Sequence, residues 1–256
     1  MLKLAVLGNP ISHSLSPKIH EAAYQILGIP ADYTRFEVSE ESFSGFMKSH
    51  TSDDWRGFSL TMPLKEVSLE ICGEIESSAQ SIGAINTLVA KSKFWSGFNT
   101  DISGFEYLLA TCELNDVAIL GAGGTAKAAL YALRDIGVPI KVYRRDARRD
   151  ALLRQANELV EILPWSQVNS AFKASHLINT LPIQAFDHSF LLTEPVGQVI
   201  DALYYPWPTP LMKIAKEKVI FTGKDLLVAQ ALRQIELFSG HSLDKPGLFK
   251  ELRQLI

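Results

Sequence analysis

Short apolar runs of strand length alternate along the chain with stretches whose apolar residues recur every three or four positions. Residues 2–7 vary too little in polarity for a strand wet on one face and read as a buried strand, closed by Gly8-Asn9-Pro10. A helical pattern follows over residues 18–27, where Ser16 is a plausible N-cap ahead of Pro17. Residues 32–38 predict a strand, and 40–49 a helix with Phe43, Phe46 and Met47 on one face. A third strand at 55–61 ends in Met62-Pro63, and Lys65 opens the next helix. Residues 82–90 and 93–98 read as a hairpin-like pair, followed by a helix over about 103–111 that Thr100 or Asp101 could cap. Strands recur at 117–120, 140–143, 177–179 and 198–201, with helices after Gly124, between about 165 and 174, and over 225–239. In that last helix Leu226, Leu227, Gln230, Leu232, Ile235 and Phe238 are the candidate inward residues. Strands alternating with helices predict an α/β fold, with a domain boundary near Asp101.

One stretch adds chemistry to this pattern. The run Val117-Ala118-Ile119-Leu120 meets Gly121-Ala122-Gly123-Gly124-Thr125-Ala126 and passes directly into an alanine-rich helix. That is the G-x-G-x-x-G/A turn of a dinucleotide-binding βα unit, with Ala126 in the last place. Gly121 permits the turn, Gly123 lets backbone approach a pyrophosphate, and Ala126 lets helix pack on strand. The helix N-terminus then supplies amide donors and positive potential to the phosphates.

At the end of the next strand stands Arg144-Arg145-Asp146-Ala147-Arg148-Arg149. In such folds this position meets the adenosine ribose, where arginine accommodates a 2′-phosphate and so favours NADP over NAD. A solvated helix start is the plainer reading. The chain as a whole is not basic: its 256 residues carry a net charge of −3, with 47% apolar and 21% charged residues. A soluble protein is expected, with no nucleic-acid or membrane partner. No apolar run reaches transmembrane length, and no signal peptide is recognised, so a cytoplasmic location is expected. Cys72 and Cys112 are expected as free, buried thiols. Histidines never fall at ligand spacing, and no metal is expected.

Further polar residues gather at predicted strand ends. Ser14 and Ser16 flank one apolar residue, so an extended segment turns both hydroxyls one way; they serve either as turn and capping groups or as a cradle for a carboxylate or polyol. Lys65 near a helix N-terminus opposes the macrodipole. Asn86, Asn99 and Asp101 lie at neighbouring strand ends. Thr180-Leu181-Pro182 and the segment from Ala202 to Pro208 follow strand carboxyl ends, the edge at which ligands bind in open α/β sheets.

Taken jointly, Ser14-Leu15-Ser16-Pro17, Ser59-Leu60-Thr61-Met62-Pro63-Leu64-Lys65, Gly83-Ala84-Ile85-Asn86-Thr87, Asn99-Thr100-Asp101, Gly121-Ala122-Gly123-Gly124, Asp201-Ala202-Leu203-Tyr204 and the Gln230 helix resemble the shikimate dehydrogenase family over nearly the whole chain. The resemblance implies two domains. Residues 1–101, with 226–256 returning, would form an α/β substrate domain, and 102–225 a Rossmann-type NADP-binding domain. It implies NADPH-dependent reduction of 3-dehydroshikimate to shikimate in aromatic amino-acid (chorismate) biosynthesis, with Lys65 and Asp101 catalytic. Ser14, Ser16, Thr61, Lys65, Asn86, Asp101, Tyr204 and Gln230 would contact the substrate. Gly121, Ala122, Gly123, Gly124, Thr125, Arg144, Arg145, Arg149, Leu203 and Gly223 would line the cofactor. A small-molecule substrate is the implied partner, and a homodimer is an open alternative. Ser59, Arg144, Asp146, Gln184 and Asp225 depart from the family pattern, and Asp146 brings a negative charge towards the 2′-phosphate position. The rival readings are a quinate-accepting paralogue using NAD and a non-catalytic cofactor sensor.

Overall fold

A computed structural model describes residues 1–185 and 193–256. The chain divides into two compact units, residues 1–104 with 227–256, and residues 105–226.

The first unit opens with β1 (Leu2–Gly8), α1 (Ser16–Ile26), β2 (Ala31–Glu37), α2 (Glu40–Ser49) and β3 (Gly57–Leu60). It continues through α3 (Leu64–Val67), β4 (Cys72–Ile75), α4 (Ser77–Ile82), β5 (Thr87–Lys91), β6 (Phe94–Phe98) and α5 (Thr100–Leu109), whose C-terminal half enters the second unit. Among the described residues the strands form one sheet in the order β2-β1-β3-β5-β6-β4. β1 runs parallel to β2 and β3, while β5 is antiparallel to both β3 and β6. The carboxyl ends of β1, β3 and β6 therefore share one edge with the amino end of β5. Beneath that edge, Phe58, Leu60, Leu64, Ile85, Leu88 and Trp95 belong to a continuous apolar core.

Several local outcomes differ from the sequence reading. The strand expected from residue 82 begins at Thr87, because α4 runs to Ile82 and Gly83 ends it in the left-handed conformation at φ 60°. Ser16 lies inside α1, and it is the Ser14 hydroxyl that accepts from the Ser16 amide at 3.3 Å. Helix α5 starts at Thr100, with the Asn99 side chain accepting from the Asp101 amide at 3.1 Å. Capping thus falls to Asn99 and leaves the Asp101 carboxylate for other partners. Cys72 and Cys112 are free but only half-buried; burial pushes the Cys72 thiol up to about 12.

The second unit contains β7 (Val117–Leu120), α6 (Gly124–Ala132), β8 (Ile140–Arg144), α7 (Asp150–Ala156), β9 (Glu161–Pro164), β10 (His176–Asn179), β11 (Gln198–Asp201), α8 (Pro210–Ala215) and β12 (Val219–Thr222). The stretch from Trp165 to Lys173 forms 3₁₀ turns in place of the expected helix. Among the described residues every strand pair here is parallel, in the order β12-β11-β10-β7-β8-β9. This is the doubly wound order in which the chain reverses direction between β7 and β10, the switch point where such sheets bind ligands.

The chain then returns to the first unit through α9 (Gly223–Ser239), followed by α10 (Lys245–Gln254). The last turn of α9 is tied to the residue that precedes β3. Arg56 donates to the carbonyls of Phe238 at 2.6 Å and Leu237 at 3.2 Å, two acceptors left over at the helix end. No helix among the described residues is long and apolar enough to cross a membrane.

Candidate active site

The shared edge of the first sheet gathers the polar residues of that unit. Ser14 and Ser16 follow β1, Thr61 and Lys65 follow β3, Asn86 precedes β5, and Asp101 follows β6. Lys65 sits in the single turn of α3, its carbonyl accepting from the Ile85 amide at 2.7 Å, so its backbone is fastened to the segment that carries Asn86. Its ammonium donates to Asp101 Oδ2 at 2.6 Å, with the two side chains 21% and 10% exposed. The pair is therefore close to buried, yet the amine remains reachable by a small molecule.

Asn86 holds the other carboxylate oxygen, its side-chain amide donating to Asp101 Oδ1 at 2.8 Å. Its own oxygen accepts from the Thr100 amide at 2.7 Å and the Thr87 hydroxyl at 2.8 Å. The Thr100 hydroxyl reaches Gln230 Oε1 at 3.1 Å, bringing α9 into the same group. Lys65, Asn86, Asp101 and Gln230 thus belong to one hydrogen-bonded cluster. Ser14 and Ser16 are joined to one another, and half-buried Thr61 is fastened through its amide to the Leu7 carbonyl at 2.9 Å.

In the second unit the glycine turn lies at the switch point. Gly121 has φ 108°, in the left-handed region, and a Cβ there would come within 2.6 Å of the Thr180 hydroxyl. Gly123 stands at the N-cap of α6, and an added Cβ would meet nothing within 4 Å. Gly124 and Thr125 open the helix directly after it, and Ala126 is fully buried. The arrangement suits a dinucleotide phosphate.

Of the strand-end arginines, Arg144 makes a two-pronged ion pair with Asp150 at 2.7 and 2.8 Å. Arg145 is exposed, stacks on Trp165 with 4.7 Å to the ring centroid, and donates to the Ala185 carbonyl at 2.7 Å. Arg149 is half-buried in the turn Ala147–Arg149. Asp146 caps that turn and pairs with Arg148, whose hydrogen bonds hold its carboxyl at about 2. Its charge is thus neutralised locally.

Leu203 and Tyr204 follow β11, and Gly223 opens α9 against them, donating to the Leu203 carbonyl at 3.2 Å. A Cβ on Gly223 would collide with the backbone of Ala202 and Leu203. The Asp225 carboxylate closes the start of α9, accepting from the Thr222 amide at 2.8 Å. Burial raises the Tyr204 hydroxyl.

Two polar residues are not marked as site groups by the sequence pattern. Asp201 is fully buried, accepting from Asn179 at 2.8 Å, from the Leu203 amide at 3.2 Å and from the Thr209 hydroxyl, and burial raises its carboxyl. Gln234, one turn beyond Gln230, is 2% exposed. The paired glutamines at i and i+4 on an otherwise apolar face were the available signal. Among the described residues no cluster of His, Cys, Asp or Glu could hold a metal.

A parallel sheet wound in the dinucleotide-binding order, carried with a separate α/β unit that holds a lysine–carboxylate pair, defines a two-domain α/β oxidoreductase of the nucleotide-dependent kind. Residues 6–88 match the profile of the shikimate dehydrogenase substrate binding domain. Shikimate dehydrogenase (NADP(+)) of Thermus thermophilus is 32% identical, with 100% of this chain and 99% of that protein covered. The crystal structure of Mycobacterium tuberculosis shikimate dehydrogenase superposes with a TM-score of 0.87 at 30% identity, covering 100% of both chains. That of the Thermus thermophilus shikimate 5-dehydrogenase in complex with NADP(H) and shikimate gives 0.82 at 30% identity, again over 100% of both chains. This chain belongs to the shikimate dehydrogenase family.

Proposed function

We propose that the protein reduces 3-dehydroshikimate to shikimate with NADPH, using Lys65 and Asp101 as its catalytic pair. The relatives supply the reaction and the cofactor; the 2.6 Å contact between Lys65 Nζ and Asp101 Oδ2 carries the residue assignment. When bound, NADPH supplies a hydride to the ketone carbon. Negative charge then develops on the ketone oxygen, and Lys65 donates the proton that this oxygen takes up. Asp101, itself held by Asn86, fixes the direction of the ammonium and returns negative charge beside it. The Ser14 and Ser16 hydroxyls bind the substrate carboxylate, and Thr61, Asn86 and Gln230 orient the ring. Gly121 to Thr125 hold the pyrophosphate on their amides, with Arg145 and Arg149 at the 2′-phosphate and Leu203 and Gly223 lining the nicotinamide side.

The test is a spectrophotometric assay of the purified protein with NADPH or NADH and with 3-dehydroshikimate or 3-dehydroquinate. The expected result is oxidation of NADPH with 3-dehydroshikimate, at a kcat/KM well above that of every other combination. No turnover with any combination would leave only a cofactor sensor, and preference for NADH with 3-dehydroquinate would make it a quinate enzyme.

A further inference from the structure

Behind Asn86 a line of buried side chains runs away from the candidate site into the core. Gln234 on α9 is its hub. Its Oε1 accepts from the Ser59 hydroxyl at 3.0 Å and lies 3.1 Å from His20 Nε2. Its Nε2 donates to Thr87 Oγ1 at 2.9 Å. Ser59 in turn accepts from the Tyr33 hydroxyl at 2.6 Å. On the site side the Thr87 hydroxyl donates to Asn86 Oδ1, and Asn86 donates to Asp101. Tyr33, Ser59, His20, Gln234, Thr87 and Asn86 are all buried.

The directions of these bonds follow from proton counting. His20 is fully buried, and that burial keeps the imidazole neutral, its pKa lowered to about 3. Its Nδ1 has no hydrogen-bond partner, which puts the single ring proton on Nε2, facing Gln234. Two donors, His20 and Ser59, therefore fix the Gln234 oxygen on their side and turn its NH₂ towards Thr87. With that NH₂ occupying an acceptor position on Thr87, the threonine's own proton is turned to Asn86 Oδ1. Asn86 then presents its NH₂ to Asp101. Every donor from Tyr33 onward points along one route towards the carboxylate, an arrangement in which each bond polarises the next.

We propose that Gln234 is a positioning residue for the dyad: it sets the direction of the hydroxyl–amide relay that ends on Asp101, and through Asp101 the placement of the Lys65 ammonium. This rests on the reading of Lys65 and Asp101 as the catalytic pair. Gln234 touches neither of them; it acts through Thr87 and Asn86.

The test uses the full-length enzyme with NADPH and 3-dehydroshikimate. Gln234→Glu keeps the length but removes the amide NH₂ that donates to Thr87, so the Thr87 proton is no longer held on Asn86. Gln234→Met removes the polar end altogether, and Thr87→Val cuts the next link. Rates are expressed per NADPH-binding site, counted by fluorescence titration, so that a misfolded fraction does not pass for slow chemistry. The expected result for either Gln234 substitution is a kcat lower by about tenfold or more, with the substrate KM changed by less than about threefold. Combining Gln234→Met with Thr87→Val should cost no more than the worse single change, since both break one route. Unchanged kcat per site in both Gln234 variants, a loss confined to KM, or losses that multiply in the double variant would overturn the proposal. Absence of wild-type turnover would instead sink the catalytic reading beneath it.

Discussion

Lys65 occupies a place where a lysine is unfavourable: at the start of a helical turn, facing the positive end of the peptide dipoles. The structure supplies the compensation in Asp101, and the strand-end clustering of Asn86, Asn99 and Asp101 was legible because each stands beside a recognisable boundary. Gln234 is legible only as a second glutamine one turn beyond Gln230; its role is not, because its partners His20, Ser59 and Thr87 are 214, 175 and 147 positions away in the chain. His20 carries a prediction of its own. The folded imidazole stays neutral down to about 3, whereas the ordinary group binds a proton below 6.5. The unfolded chain thus takes up that proton first, and stability falls as pH drops from 6.5 towards 3. The contribution has a slope of up to about 1.4 kcal/mol per pH unit. Urea unfolding at pH 7 and pH 5 should show this loss, and His20→Phe should flatten it; an equal pH dependence in wild type and variant would show that His20 is not the group responsible.

The glycine turn and the helix after it could be read at the level of single elements, because the backbone requirement there is strict: Gly121 sits at φ 108° with Thr180 against it. Three of the four-residue strands escaped. β4 contains Gly73, β9 ends in Pro164, and β12 is a short apolar run that its neighbour β11 makes into a strand. Helix α9 was expected from its period, but not the way its end is held. Arg56 satisfies two of its terminal carbonyls and also donates to Ala90 at 3.2 Å. Arg56→Ala should therefore destabilise the protein by roughly 1–3 kcal/mol, by leaving carbonyls at a half-buried helix end without their charged donor. Equilibrium unfolding of the variant measures it, and a change within error would mean that water replaces the guanidinium at no cost.

For the molecule as a whole, the α/β class followed from alternation alone, and the two-domain dehydrogenase architecture from motifs that agree in order. Strand order did not follow. The sequence β2-β1-β3-β5-β6-β4 is set by pairings between distant segments, and local patterning contains no information on which strands become neighbours. Yet that order brings the ends of β1, β3 and β6 to one edge and makes a cluster of residues that are scattered along the chain. We read this cluster as a proton-donating site built on Lys65. It is tested most directly by steady-state kinetics of Lys65→Ala against wild type, with NADPH and 3-dehydroshikimate. The expected result is a kcat lower by roughly 10²–10⁴-fold, with a much smaller change in substrate KM; a kcat equal to wild type would remove Lys65 from the proton transfer.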